Sequence, residues 1–384
     1  MKNKIAYIVE EVFETGPVFQ LRELIRGLSS DNFETEVVSL SPYDQDSTVF
    51  GDSANLHTLP RSRFALLQGL ELRKRIEEIQ PNVVHSWGVA TRLQSAIASW
   101  SREPVHITSV FEQPQDHQSL IMRSANWFAS DELVANHPSI LDGLQQAGAK
   151  CDRVIRPTIS NPHTSSAAQH IDSAAPLNNS ESTHASSDSA RNKLLALMGK
   201  KSNERIWLAG AVTGFEPRYR LKDLVWAIDI LCCVRKDIHL IIFGNGCDQG
   251  ILNYISKLDC ADNVHLLPID QQKMELIAGL DIFWNSQTVC PVPPAMLFAM
   301  QRQVPVVSVL GDETKEYVLP MQTALATNYG ARDEFARWTK YLIELPDAAK
   351  QIGIQARQHV ENMLINSSMV DAYSKLYIDL IRKS

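Results

Sequence analysis

Short apolar runs alternate along this chain with longer amphipathic stretches. The apolar runs of the first half are 4–9, 35–40, 82–87, 104–110 and 132–136. Between them lie stretches such as 18–28, in which leucine and isoleucine recur with the spacing of one helix face. Short apolar runs predict buried strands, and the helical period predicts the helices that cover them. Alternation of this kind predicts a parallel sheet with helices on both faces.

The same alternation is found again in the second half of the chain. Its predicted strands are 205–212, 238–246, 263–268, 281–286 and 304–310, and its predicted helices include 190–199, 221–234, 250–258, 331–345 and 347–384. We therefore expect an α/β fold with two Rossmann-like, doubly wound parallel-sheet domains that face each other across a cleft. Ligands of such sheets bind beyond the carboxyl ends of the strands.

The segment from Thr158 to Ser189 separates the two halves. Twelve of its 32 residues are Ser or Thr, and it has no aromatic residue, Lys or Arg. Because such a segment buries too little apolar area to offset its ordering entropy, we predict a flexible linker. The expected organisation is an N-terminal Rossmann-like domain at 1–157, the linker at 158–189, a C-terminal Rossmann-like domain at 190–360 and a last helix at 361–384. We expect this helix to pack back toward the N-terminal domain.

Length, net charge and cysteine content exclude several classes of protein. The chain has 384 residues, enough for two domains, and its net charge of −7 argues against nucleic acid as a partner. The N-terminus lacks the long apolar region of a signal peptide, and no apolar run is long enough to span a membrane. The six cysteines form no C-x-x-C pair and do not cluster with histidine. We therefore expect a cytoplasmic protein with reduced thiols and no metal site.

Several motifs occur in the order found in one enzyme family. They include "ETGPVFQLRELIRGL" (14–28), "QPNVVHSWG" (80–88), "LVANHPSILDGLQQAGAKCDRVIRPTI" (133–159), "LIIFGNGCDQGIL" (240–252) and "AMQRQVPVVSV" (299–309). In this order they resemble the GT-B glycosyltransferases, specifically retaining family 4, the glycosyl transferases group 1. The resemblance runs nearly from end to end of the chain.

The resemblance implies an enzyme of polysaccharide biosynthesis. Such an enzyme transfers a sugar from a nucleotide-diphosphate sugar, its co-substrate, to a glycan or lipid-linked acceptor, without a metal ion or other cofactor. We predict catalytic roles for His85, at the end of a predicted strand, and for Glu112, which lies just beyond Val110, where the family often has a histidine. The predicted donor-binding positions, some of which depart from the family pattern, are Gly16, Arg218, Arg220, Lys222, Gly244, Gly246, His265, Cys290 and Phe298.

The active-site motif departs from the family pattern at its acidic positions. The family places two glutamates eight positions apart, and these positions are Cys290 and Phe298 here. Two lost charge-assisted hydrogen bonds should weaken donor binding by roughly 10²–10⁴. The family's lysine falls on Tyr219, but the neighbouring cations Arg218, Arg220 and Lys222 are able to hold a diphosphate at the same turn.

Other functions are compatible with parts of this sequence. The missing acids suit a catalytically inactive GT-B module that serves as a binding or scaffold partner of an active glycosyltransferase. A G-x-G after a strand also occurs in nicotinamide-binding domains, but no acidic residue follows at the end of the next strand. A sugar-nucleotide epimerase shares the fold but has no motif support.

One stretch suggests contact with a membrane surface. "RSRFALLQGLELRKR" (61–75) combines five basic residues with phenylalanine and leucines. An amphipathic helix of this composition is able to lie on an anionic bilayer, which would place the protein at the inner face of the membrane. The alternative is an ordinary helix that covers the sheet.

Overall fold

A computed structural model of the chain describes residues 2–10, 12, 17–28, 32–42, 50–60, 64–99, 104–111, 130–156, 180–201, 205–215, 219–244, 249–268, 274–287, 293–311, 314–365 and 369–383. The chain divides into two units. Unit 1 comprises Met1–Thr158 and Ile365–Ser384, and unit 2 comprises Ile159–Leu364.

Unit 1 is built on a seven-stranded parallel sheet. Its strands are Asn3–Val9 (β1), Phe33–Ser39 (β2), Asn55–Thr58 (β3), Val83–Trp87 (β4), Val105–Val110 (β5), Glu132–Ala135 (β6) and Arg153–Val154 (β7). The strand order is β3-β2-β1-β4-β5-β6-β7, so the order reverses between β1 and β4. Four helices of this unit are Pro17–Gly27 (α1), Ala65–Ile79 (α2), Arg92–Ser99 (α3) and Pro138–Gln146 (α4).

Unit 2 repeats this architecture with six parallel strands. The strands are Trp207–Val212 (β8), Ile238–Phe243 (β9), Val264–Leu267 (β10), Ile282–Asn285 (β11), Val306–Val309 (β12) and Leu325–Thr327 (β13). Their order is β10-β9-β8-β11-β12-β13, with the reversal between β8 and β11. The helices are Ser180–Leu197 (α5), Leu221–Val234 (α6), Gln249–Ile255 (α7), Pro294–Gln301 (α8), Arg332–Glu344 (α9) and Pro346–Ile365 (α10).

The predicted parallel-sheet architecture is confirmed in both units. Strands β1, β4 and β5 are buried along nearly their whole length because helices cover both faces, which is why they read as continuous apolar runs. In unit 2 the main core lies between the sheet and helices α6 and α9. None of the helices in the described ranges combines the length and apolar character needed to cross a bilayer.

Helix α5 begins inside the segment predicted to be a linker. Residues 157–179 lie outside the described residues, but from Ser180 the chain is helical, ten residues before the helix predicted at Ala190. No proline or glycine interrupts this helix. Its serines lower the helix propensity slightly, and contacts with the rest of unit 2 offset this cost. Ser187 Oγ donates to the carbonyl of Ala278 at 2.8 Å.

The C-terminal helix Met369–Lys383 (α11) belongs to unit 1, where it packs against the α1 face of the sheet. Its two tyrosines are fully buried and are fixed by hydrogen bonds. The Tyr377 hydroxyl lies 2.8 Å from His85 Nδ1 and 3.1 Å from the Tyr7 hydroxyl. The Tyr373 hydroxyl lies 2.7 Å from Ser109 Oγ. This helix therefore completes the interior of unit 1.

We expect the substitution Tyr377→Phe to lower the free energy of unfolding of unit 1 by about 1–3 kcal/mol, because it leaves a buried His85 nitrogen without its partner. The control is Tyr341→Phe in α9, a half-buried tyrosine for which no hydroxyl hydrogen bond is found within the described ranges. Urea unfolding followed by circular dichroism measures both. Equal stability of the two variants would contradict the role assigned to this hydroxyl.

Candidate functional site

Side-chain hydrogen bonds join the chain segments at the carboxyl edge of the unit 2 sheet, at the switch point where the strand order reverses between β8 and β11. After β11, Ser286 Oγ donates to the carbonyl of Tyr219 at 3.0 Å, and Thr213 Oγ1 contacts the same carbonyl at 3.5 Å. Asn285 Nδ2 donates to Ser308 Oγ at 3.0 Å, which joins the ends of β11 and β12. The ends of β8, β11 and β12 are therefore held together where a parallel sheet binds its ligands.

Helix α8 starts at this edge. Pro294 occupies its first position, the side chain of the N-cap residue Pro293 makes no capping hydrogen bond, and the first turn contains no acidic residue. The amino end of a helix carries partial positive charge and backbone N–H groups, so this arrangement suits an anion. Phe298 is only 8% exposed and lies 5.0 Å beneath the guanidinium of Arg302, which makes it a packing residue of the helix. Cys290 lies outside the described residues.

Among the predicted cations that the structure describes, Arg220 has an engaged side chain. It precedes α6 in a left-handed backbone conformation, with φ 56° and ψ 33°. Its Nε donates to Asp223, and its guanidinium carbon lies 4.3 Å from the ring centroid of Tyr329. Lys222 is exposed on the first turn of α6, and Arg218 lies outside the described residues.

The glycine that follows β9 has a structural explanation. A Cβ at Gly244 would lie 2.4 Å from the carbonyl oxygen of Thr213, so a larger residue would displace the backbone at the end of β8. The Gly244 N–H already donates to the Leu267 carbonyl at 3.0 Å. The amide of this predicted donor-binding residue therefore already has a hydrogen-bond partner within the sheet. Gly246 lies outside the described residues.

His265 lies within β10 and not at its carboxyl end. Its Nε2 is 3.1 Å from His239 Nδ1 on the neighbouring strand. Burial lowers the pKa of His265, and the positive charge of Lys200 lowers it further. The predicted donor contact would thus come from a neutral imidazole that already has a partner.

His85, the predicted catalytic histidine, belongs to the interior of unit 1. It is fully buried, and both ring nitrogens are hydrogen-bonded, Nδ1 to the Tyr377 hydroxyl and Nε2 to Ser109 Oγ at 2.8 Å. A side chain in this position meets no substrate, so the structure assigns it a stabilising role in place of the catalytic one. Glu112 and Gly16 lie outside the described residues.

Helix α2 exposes four large apolar side chains near its start. Phe64 is 68%, Leu66 62%, Leu67 54% and Leu70 44% exposed. The basic residues of the helix each pair with a glutamate: Arg73 with Glu77, Lys74 with Glu71 and Arg75 with Glu78. The described part of this surface is therefore apolar but carries no excess positive charge. The other two basic residues of the predicted stretch, 61 and 63, lie outside the described residues.

Metal ligation has no visible basis in the part of the chain that the structure describes. No group of three His, Cys, Asp or Glu residues is arranged there to hold an ion. Positive charge at the unit 2 edge comes instead from Arg220, Lys222 and the amino end of α8.

The comparisons with known proteins agree with this architecture. Residues 199–359 match the family model "Glycosyl transferases group 1". HepE of Anabaena in complex with UDP-glucose superposes with a TM-score of 0.76 at 16% identity, over 97% of this chain and 99% of that chain. Sucrose-phosphate synthase from Thermosynechococcus elongatus superposes with a TM-score of 0.75 at 14% identity, over 100% of both chains.

A third structure, WaaG, described as a glycosyltransferase involved in lipopolysaccharide biosynthesis, has a TM-score of 0.71 at 12% identity, over 97% of this chain and 99% of that chain. A search of the curated proteins finds no match. At these identities the superpositions show the fold. The GT-B fold that the resemblance implies is thereby confirmed, whereas the assignment to retaining family 4 stays a prediction.

The buried histidines predict a loss of stability in acid. Burial, with a smaller effect from neighbouring positive charge, lowers the pKa of both His85 and His106 from 6.5 to about 3. Between these values the unfolded chain binds protons that the folded chain does not. The free energy of unfolding should therefore fall as the pH drops below about 6.5, by about 2 kcal/mol per histidine at about pH 5.

Urea unfolding at about pH 7.5 and about pH 5 measures this loss. His85→Gln keeps hydrogen-bonding groups but does not titrate, so it should reduce the acid-induced loss by roughly half. The control His359→Gln removes a half-buried histidine of unit 2 that bonds to a backbone carbonyl. An identical pH dependence for His85→Gln and the parent protein would contradict the prediction.

Proposed function

We propose that this protein, a GT-B enzyme with a glycosyl transferases group 1 domain at residues 199–359, transfers a sugar from a nucleotide-diphosphate sugar to a glycan or lipid-linked acceptor. We further propose that the transfer needs no metal ion. The observation that carries the proposal is the unit 2 edge itself, where the amino end of α8 and the arginine before α6 lie in the segment that matches the family. The complex of HepE with UDP-glucose supports the choice of donor.

The chemistry of the donor explains why such an edge is suitable. As the bond to the sugar breaks, negative charge builds up on the leaving diphosphate. The backbone N–H groups of Ala295 and Met296, which follow the two prolines at the start of α8, and the guanidinium of Arg220 are groups that stabilise such charge. A fixed electrostatic environment of this kind does for the diphosphate what a divalent cation does in other transferases.

The ribose and sugar contacts are the part of the site that departs from the family. Phe298 packs beneath Arg302 and has no polar atom to offer a hydroxyl group. Without the two carboxylates, we expect donor affinity to be lower by roughly 10²–10⁴ than in relatives that have them. The proposed enzyme therefore binds its donor mainly through the diphosphate.

The acceptor side of the proposal concerns helix α2. Its exposed Phe64, Leu66, Leu67 and Leu70 support a peripheral contact with a lipid surface that presents the acceptor, at the cytoplasmic face of a membrane. Because the basic residues of the helix are paired with glutamates, the contact would depend on apolar burial more than on anionic lipid.

The donor claim is tested by calorimetric titration of the full chain with UDP, GDP, ADP and their glucose derivatives. We expect at least one nucleotide to bind, and Arg220→Ala to weaken it by about 10–100-fold, because a charge-assisted contact to the diphosphate is lost. The matched control is Arg235→Ala, an arginine that pairs with Asp237 just before β9, at the opposite edge of the same sheet.

Two outcomes would count against the proposal. If no nucleotide binds at millimolar concentration, the donor site does not exist, and the inactive binding module becomes the better description. If Arg220→Ala and Arg235→Ala bind equally well, the diphosphate is held elsewhere. Release of free nucleotide from a nucleotide sugar in the presence of an acceptor then distinguishes turnover from binding alone.

The membrane contact is tested by sedimentation with vesicles of phosphatidylcholine, with and without phosphatidylglycerol. We expect the double substitution Leu67→Ser and Leu70→Ser to reduce the bound fraction severalfold, because each exposed leucine contributes apolar area to the contact. Leu345→Ser, at a leucine 47% exposed in unit 2, is the control. Equal sedimentation of both variants would remove α2 from the contact.

A further inference from the structure

One buried carboxylate links two arginines at the amino ends of α6 and α9. Asp223 is only 4% exposed and lies in the first turn of α6. It accepts a hydrogen bond from Nε of Arg220 and another, at 2.6 Å, from Nε of Arg332, the first residue of α9. Two guanidinium groups and one carboxylate leave the cluster with one net positive charge.

Each guanidinium also lies against an aromatic ring. Arg220 is 4.3 Å from the ring centroid of Tyr329, and Arg332 is 4.0 Å from that of Trp226. These rings are 60% and 42% exposed. Tyr329, Arg220, Asp223, Arg332 and Trp226 thus form a continuous row, which we call the arginine row.

The backbone around Arg220 is shaped for this arrangement. Arg220 adopts a left-handed conformation, which is unfavourable for a residue with a Cβ atom. Facing it is Gly330, with φ 81°, where an added Cβ would lie 3.2 Å from Nη2 of Arg220. Strained residues that persist because their surroundings hold them are concentrated at functional sites.

A purely structural link between two helix ends requires only one arginine and one aspartate. Such a pair is neutral and attracts an anion weakly. The second arginine changes this, because it shares Asp223 and so keeps the charge of Arg220 available to a ligand. The contacts to Asp223 and Tyr329 hold the Arg220 guanidinium in place, while about a quarter of the side chain, 24%, remains exposed.

We propose that Asp223 and Arg332 are positioning residues that hold Arg220 ready for the diphosphate of the donor. This inference rests on the proposed function, because it assigns the second layer of the same donor site. Asp223 and Tyr329 restrict the long Arg220 side chain in advance, which removes much of the entropy cost of ordering it at binding. Arg332 supplies the net positive charge and does not itself touch the ligand.

The test uses inorganic pyrophosphate as the probe, because its binding does not depend on which nucleotide base the protein prefers. Arg332→Gln removes one positive charge close to Arg220, so we expect pyrophosphate to bind about tenfold more weakly, as measured by calorimetry. Arg332→Lys keeps the charge and should stay within about threefold of the parent. The control is Arg337→Gln, on the same helix, whose guanidinium lies over Trp338 and pairs with Glu334.

Emission from Trp226 gives a second readout that a merely structural role would not change. Pyrophosphate should alter this emission in the parent protein and not in Trp226→Phe, since Arg332 lies on the indole ring. Thermal unfolding of each variant checks that it is folded. Asp223→Asn, which keeps the shape but frees both arginines, should bind pyrophosphate with a larger entropy loss than the parent.

The outcomes separate this inference from the proposed function. If pyrophosphate binds Arg332→Gln as tightly as the parent, or if Arg332→Lys is as weak as Arg332→Gln, the positioning role is overturned while the donor site remains. If pyrophosphate binds neither the parent nor any variant, the donor site and the arginine row both fail as proposed. Weaker binding in Arg332→Gln with retention in Arg332→Lys supports the inference.

Discussion

All pairs of adjacent strands in both sheets are parallel, and this constraint determines where chemistry is able to occur. Parallel pairing brings the carboxyl ends of the strands and the amino ends of the helices that follow them to a single edge. At the switch point of unit 2 the loops diverge, and hydrogen bonds from Ser286 and Asn285 fix the remaining backbone there. A positive helix end is thus available at this edge by topology alone. Only the side chains added to it are specific to this chain.

In unit 1 the buried polar groups stabilise the interior and are not available to a ligand. His85, Ser109, Tyr373 and Tyr377 satisfy one another in a region from which water is excluded. Such a network specifies one packing of α11 on the sheet, because any shift of the helix would leave several polar atoms unpaired. The same pairing that makes His85 important for stability makes it unavailable for catalysis.

The sequence predicted the long central strands well because helices cover them on both faces and their apolar runs are unbroken. It missed β3, β7 and β13, which are short, and β3 and β7 contain exposed or half-buried residues that interrupt an apolar run. The start of α5 was missed for a related reason, since tertiary contacts with unit 2 outweigh the weak helix preference of its serines. The local pattern of apolar residues therefore predicts an element well where the element is buried along its whole length.

Site residues were harder to predict because their roles depend on distant partners. His85 at the end of an apolar run has the appearance of a catalytic residue until Tyr377, 292 positions away, is found beside it. Asp223 lies three residues after Arg220, so a helix-based reading could have paired these two. Arg332 is 109 positions from Asp223 and gives no local signal. The arginine row exists only because α9 packs beside α6.

The loss of the two family glutamates and the presence of the arginine row both affect which part of the donor the proposed site recognises. A carboxylate that binds the ribose makes the site selective for a nucleoside, whereas cations that bind the diphosphate recognise only its negative charge. With Phe298 packed under Arg302 and a net positive cluster before α6, the balance of the proposed site shifts toward the diphosphate. Diphosphate contacts strengthen as the sugar leaves, so they contribute to the transition state more than to the ground state. A transferase is therefore able to lose ribose contacts, with weaker donor binding, and still retain the interaction that accelerates the reaction.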